Sequence, residues 1–316
     1  MAMPESLRGR LRLPVVAAPM FLVSGPELVI EASRAGILGT FPALNQRSSE
    51  GFEAWLTEIR ETLEPLGEDA APYGVSLIVH RTNPRLEADL ELCVKHRVPV
   101  VITSLGAVAD LVDAVHGYGG VVFHDVVNLR HARKAADAGV DGLIAVAAGA
   151  GGHAGSMSPF ALVTEIRQFF DKTVLLAGCM GDGRHVAAAR ALGADLAYMG
   201  TRFIATRESR APAEYKDMIV SSAAGDIVYS DAISGVPANF LGASLQANGY
   251  DLAELTARGL GQGQLKPIGD EAKVWKTVWS AGQGVGDIVD VPATADLVDR
   301  LHSEYRSALA ALAEHD

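Results

Sequence analysis

The sequence predicts an α/β fold, a (β/α)8 TIM barrel with a small, mainly helical insertion domain after the eighth strand. Three observations predict it. Short runs of Val, Ile, Leu and Ala recur eight times between residues 14 and 200. They are continuously apolar rather than alternating, as parallel strands covered on both faces are. Each is followed by a segment of helical period, and several of these end on glycine, the usual helix stop.

The predicted strands are "PVVAAPM" (14–20), "GILGTF" (36–41), "YGVSLIV" (73–79), "VPVVITS" (98–104), "GVVFHDV" (120–126), "DGLIAVAA" (141–148), "TVLLAGC" (173–179) and "DLAYMG" (195–200). Helical patterns such as "GFEAWLTEIRETL" and "NLRHARKAADAG" fill the gaps. Eight such units fit a closed barrel better than a doubly wound sheet, the alternative that strand order would decide. After "MGTRFIATRES" the rhythm changes to helices mixed with glycine-rich turns. Residues 1–206 with 285–316 are therefore expected to form the barrel, closed by the amphipathic "ADLVDRLHSEYRSALAALAEH", and residues 207–284 a small domain over the site.

The net charge is -11 and no basic cluster offsets it, which argues against nucleic acid or an anionic membrane as a partner. Cys93 and Cys179 form no CxxC, so a reducing compartment is expected. "LPVVAAPMFLV" reads as a first strand rather than a signal peptide. No apolar run reaches the ~18 residues of a membrane span. Together these predict a cytoplasmic protein. An oligomer is compatible with the sequence.

In a barrel the chemistry sits at the C-terminal strand ends. Those ends carry Ala18, Pro19 and Met20; Ser76; Thr103 and Ser104; His124 and Asp125; then "GAGGHAG" with Gly151, Gly152 and His153; "AGCMGDG" with Ala177, Gly178 and Cys179; and "MGTR" with Gly200 and Thr201. Glycines after strands 7 and 8 let backbone N–H groups approach a phosphate, and a helix start near Gly183 adds partial positive charge. "GAGGHAG" loosely matches a dinucleotide fingerprint. Ser156 to Pro159 intervene before the helix, and the next strand does not end in an acidic residue, so that reading fails. It reads better as a loop whose backbone lies against a flat ligand and presents His153. Ser158 and Pro159 then supply the N-cap and N1 of the next helix. No His, Cys or carboxylate group has metal-ligand spacing.

"AAPM", "AGAGGHAG", "LLAGCMGDG" and "LGADLAYMGTRFIAT" together resemble the nitronate monooxygenase family, formerly 2-nitropropane dioxygenases, over residues 12–206 and more loosely through "WSAGQGVG". The resemblance implies non-covalent FMN, and a small-molecule substrate, an alkyl nitronate or nitroalkane, oxidised with O2. It maps the family's catalytic base onto His153, phosphate contacts onto Gly178, Cys179, Gly200 and Thr201, and Met20 beside the ring. Gln283 is expected to reach the ring or substrate from the far side. Three departures stand out: Gly178-Cys179 where two glycines are common, Ser76 where Asn is common, and His124 where Lys is frequent. Related FMN barrels reduce enoyl thioesters or quinones with NAD(P)H, which gives the alternative activity. A non-catalytic barrel binding a phosphate ligand is the third reading.

Overall fold

The computed structural model describes residues 3–106, 109–261 and 275–314. The eight expected strands are all present, each trimmed or shifted by a few residues. They are β1 (Val15–Ala17), β2 (Leu38–Pro42), β3 (Tyr73–Ile78), β4 (Val100–Ser104), β5 (Val121–Val126), β6 (Gly142–Val146), β8 (Thr173–Ala177) and β9 (Leu196–Met199). They form one closed barrel in chain order. Every neighbouring pair is parallel, and β1 closes on β9 through Val15↔Ala197, Val16↔Tyr198 and Ala17↔Met199. The doubly wound alternative is thereby excluded.

The helices between strands are α1 (Pro26–Arg34), α2 (Ser49–Leu63), α3 (Leu86–Lys95), α4 (Ala109–His116), α5 (Leu129–Asp137), α6 (Pro159–Arg167) and α7 (Gly183–Ala191). Gly36, Gly139 and Gly193 follow three of them with φ of 89°, 89° and 101°, the left-handed C-terminal stop that favours glycine. Ser158 and Pro159 stand at the N-cap and N1 of α6 as expected, although the Ser158 hydroxyl makes no capping bond.

Two apolar layers hold the barrel. Inside it, Leu38, Ile102, Phe123, Ile144, Leu175 and Leu196 pack as one buried cluster, joined from below by Leu7. Outside it, the opposite faces of the strands meet the helices in a second, larger cluster. Leu7 is fully buried, so the N-terminal segment plugs the end of the barrel opposite the strand tips.

After β9 come α8 (Thr201–Ile204), α9 (Ala213–Val220), β10 (Ile227–Ser230), β11 (Ala238–Leu241), α10 (Gly242–Ala247) and α11 (Leu252–Arg258). The sequence pattern shows only the helices. The hairpin β10–β11 adds a small antiparallel sheet, whose third strand is β7 (Gly152–His153), lent by the loop after β6. Residues 262–274 of the expected small domain lie outside the described residues. The terminal helix α12 (Thr294–Ala313) packs on α7 and α1. No helix among the described residues is long and apolar enough to cross a membrane.

Candidate active site

The strand tips open into a cavity of about 820 Å³, within the usual range for a small-molecule site. Ala18, Pro19, Met20, Ser76, Gly151, Gly152, His153, Ala177, Gly178, Cys179, Gly200 and Thr201 all line it, as does His124. Gln283 does not. Its neighbours Gly282 and Gly284 do, while its N–H donates to the Gly149 carbonyl (2.8 Å) and its side-chain oxygen faces the Cys179 thiol (3.8 Å). Gln283 thus braces the loops from behind.

The loop after β6 is fixed rather than floppy. His153 pairs with Ala238 and Gly152 with Asn239. The buried Asn239 amide donates to the Ala150 carbonyl at 2.7 Å, and the Tyr229 hydroxyl to Ala154 at 3.0 Å. The His153 ring meets Trp275 edge-on at 5.6 Å, and Trp275 stacks on Phe240. A single imidazole is therefore held at the cavity wall by backbone pairing and aromatic packing.

Across the cavity the chain is mostly backbone. Gly178 has φ of 130° and Cys179 has φ of 55°, so the main chain turns through the left-handed region at both positions. A Cβ on Gly200 would point toward Met20 and Ala18, both of which line the cavity. Thr201 opens the short helix α8, and its hydroxyl accepts from the Gly282 N–H at 2.9 Å, leaving its own O–H as a donor. Burial pushes the Cys179 thiol up, so it stays a thiol and is a poor nucleophile.

Two expectations need correction. The helix start near Gly183 is not available to a phosphate. The Gly183 N–H donates to Glu304 (2.8 Å), and Asp182 caps the helix by accepting from His185 N–H (3.0 Å). A Cβ on Gly183 would lie 2.2 Å from the Leu301 carbonyl. This glycine exists for close packing against α12, and two carboxylates already fill the helix end. Asp182, His185 and Asp287 also converge within 4.8 Å, but Arg184 pairs with Asp182 and the His185 ring accepts from Gly181 N–H, which accounts for the group without a metal.

His124 is the second correction. Successive residues of a strand face opposite sides. Phe123 belongs to the barrel interior, so His124 faces outward, where its Nδ1 meets Thr103 Oγ1 at 2.8 Å. Burial, with smaller effects from His131 and Lys134, lowers its pKa to about 4. It is neutral near pH 7 and reaches the cavity only by an outer branch beside α5. The inward place on β5 belongs to Asp125, whose side chain lines the cavity. Tyr198 lies inward on β9 in the same way.

The model of the nitronate monooxygenase family matches residues 68–304. The chain belongs to that family. Nitronate monooxygenase family members are flavin-dependent in general. The nitronate monooxygenase of Neurospora crassa is 29% identical over 247 residues, 67% of this chain and 65% of that protein. A (3aS,4S,5R,7aS)-5-hydroxy-7a-methyl-1-oxo-octahydro-1H-indene-4-carboxyl-CoA dehydrogenase of Rhodococcus jostii is 30% identical over 232 residues, 73% of this chain and 63% of that protein. The chain thus spans a little under two thirds of the length of these relatives. Among solved structures, FabK from Thermotoga maritima superposes with a TM-score of 0.80 at 25% identity, covering 99% of this chain and 98% of that one. Similarity to proteins of such different names leaves the substrate to the details of the cavity.

Proposed function

We propose that this chain is an FMN-dependent nitronate monooxygenase, oxidising alkyl nitronates or nitroalkanes with O2 to carbonyl compounds and nitrite. The observation that carries the reading is His153, one imidazole locked by β7–β11 pairing at the wall of a cavity otherwise built largely of backbone and apolar side chains.

The cavity suits FMN. Gly178 and Gly200 place no side chain in the cradle, and a Cβ on Gly200 would lie beside Met20 and Ala18. Gly178, Cys179, Gly200 and Thr201 would hold the phosphate. Ala18, Pro19, Met20, Ser76, Gly151, Gly152 and Ala177 would border the ring. Bound FMN would supply the electron-transfer chemistry, and O2 the oxidant. His153 would take the α-proton of a nitroalkane, the C–H electron pair passing to the nitro oxygens. With a substrate already ionised, the ring would position the anion. Trp275 and the backbone pairing would fix the ring's direction, which is what a general base needs before its pKa matters.

The test is His153→Asn. It should retain bound flavin, visible in the absorption spectrum, and cut nitroalkane turnover on the order of 10²-fold or more. An unchanged rate removes His153 from the base role. A colourless protein that takes up no FMN sinks the cofactor.

A second reading, an NAD(P)H-dependent reductase of an enone, quinone or enoyl thioester, is favoured by the charges around the cavity. Arg210 and Lys276 line it, with His80, and Asp125 is the one carboxyl among the described lining residues. Such a collar on an acidic chain suits a large anionic ligand. Rapid anaerobic bleaching by NAD(P)H, without nitrite release from ethylnitronate in air, would select this reading. Membership of an oxidoreductase family tells against the non-catalytic one.

A further inference from the structure

Asp125 stands out among the aspartates of the barrel. Asp141 accepts from Val122 N–H (2.8 Å) and faces His116. Asp195 accepts from Val174 N–H (2.9 Å) and pairs with Arg167. Asp125 has neither kind of partner: its Oδ1 is sealed from solvent and makes no hydrogen bond. It sits at the top of the barrel interior, one residue pair above Phe123, opposite Ile144 of β6. Ser76 of β3, Ser104 of β4 and Tyr198 of β9 line the same cavity floor.

A charged carboxylate is costly in such a place. Burial alone raises its pKa to about 7, with no cation to oppose the shift. The titratable groups around it are few. Tyr198 faces it from β9, and burial, then Asp125 itself, pushes that phenol upward. His124 lies behind it on the outer face of β5, with His131 and Lys134 of α5 beyond. His153 and Cys179 share the cavity. A neutral carboxyl there is a donor aimed at the cavity, and a buried donor is normally satisfied.

We propose that Asp125 is a ligand-binding residue: from inside the barrel it presents a proton-bearing carboxyl to the heterocyclic ring held at the mouth, and donates a hydrogen bond to an acceptor atom of that ring. This rests on the FMN reading above. It explains why a carboxyl with one oxygen sealed from solvent stands without a protein partner, and it identifies Asp125 rather than His124 as the strand-5 residue that faces the cofactor. The ionised form would lose the bond and meet the ring's lone pairs with its own.

The test is FMN binding to the apoprotein, read by quenching of flavin fluorescence, for wild type, Asp125→Asn and Asp125→Leu. The phosphate of FMN also titrates, with a pKa near 6, but equally for all three proteins. Relative to Asp125→Asn, wild type should lose on the order of tenfold in affinity between about pH 6 and about pH 8.5. Asp125→Asn, which keeps a donor, should match wild type at the lower pH. Asp125→Leu should bind about tenfold more weakly there. Wild type and Asp125→Asn sharing one pH profile, or Asp125→Leu binding as tightly as wild type, overturns the proposal. No FMN uptake by wild type at either pH overturns the cofactor assignment and the proposal with it. Infrared spectra of ligand-free wild type, independent of whether a variant folds, should show a protonated carboxyl near neutral pH that fades as pH rises through about 7; its absence counts against the proposal.

Discussion

His124 and Asp125 are adjacent in sequence and titrate in opposite senses, because desolvation disfavours the charged form of each, imidazolium in one and carboxylate in the other. Folding lowers His124 from 6.5 to about 4 and raises Asp125 from 3.8 to about 7. Between about pH 4 and 6.5 the native state therefore holds its proton on Asp125, and the unfolded state holds it on His124. The two contributions to the pH dependence of stability cancel in that window. Single substitutions should uncover them. In ligand-free Asp125→Asn only His124 remains; the unfolded state binds the extra proton, and stability falls as pH drops from 6.5 toward 4. In His124→Gln only Asp125 remains; the native state binds the extra proton, and stability falls as pH rises from about 4 to 7. Each slope should approach 1.4 kcal/mol per pH unit at most. Thermal melts across that range check both, and parallel profiles for the two variants would refute the assignment. Neither direction was legible in the sequence, which marks the pair but not its parity on the strand.

At the scale of elements, the strands were legible because burial on both faces leaves mostly apolar residues in them, and each strand tip fell within a few residues of its place. The site was less legible where it depends on distant partners. Nothing in "GDGRHV" reveals that Glu304 and the α12 backbone close the start of α7. Gly183→Ala makes this visible. Its Cβ meets backbone, not a movable side-chain end, so overpacking should cost about 3 kcal/mol. The midpoint of denaturant unfolding should fall at unchanged slope, whereas a shift under about 0.5 kcal/mol would mean that α12 can yield. The strand β7 is similarly hidden. Two residues, one of them glycine, carry no strand propensity, and only the partner β11 makes Gly152–His153 a strand.

For the whole molecule, the contrast is between a chain of net charge -11 and a cavity lined by Arg210, Lys276 and His80. Exposed charges are screened within about 10 Å at 0.1 M salt. KM for a nitronate anion should therefore rise several-fold from low to high salt while kcat changes little. A KM indifferent to salt would show that the collar does not act on substrate.

The sheet that joins hairpin β10–β11 to β7 also has a kinetic meaning. His153 is attached to the hairpin as well as to the barrel, since its backbone is a rung of the hairpin's own ladder. Any excursion that lifts the hairpin to admit or release a molecule drags the imidazole out of register at the same moment. On the proposed mechanism the molecule would react only when shut, because a half-open one would expose its contents to water with His153 out of position.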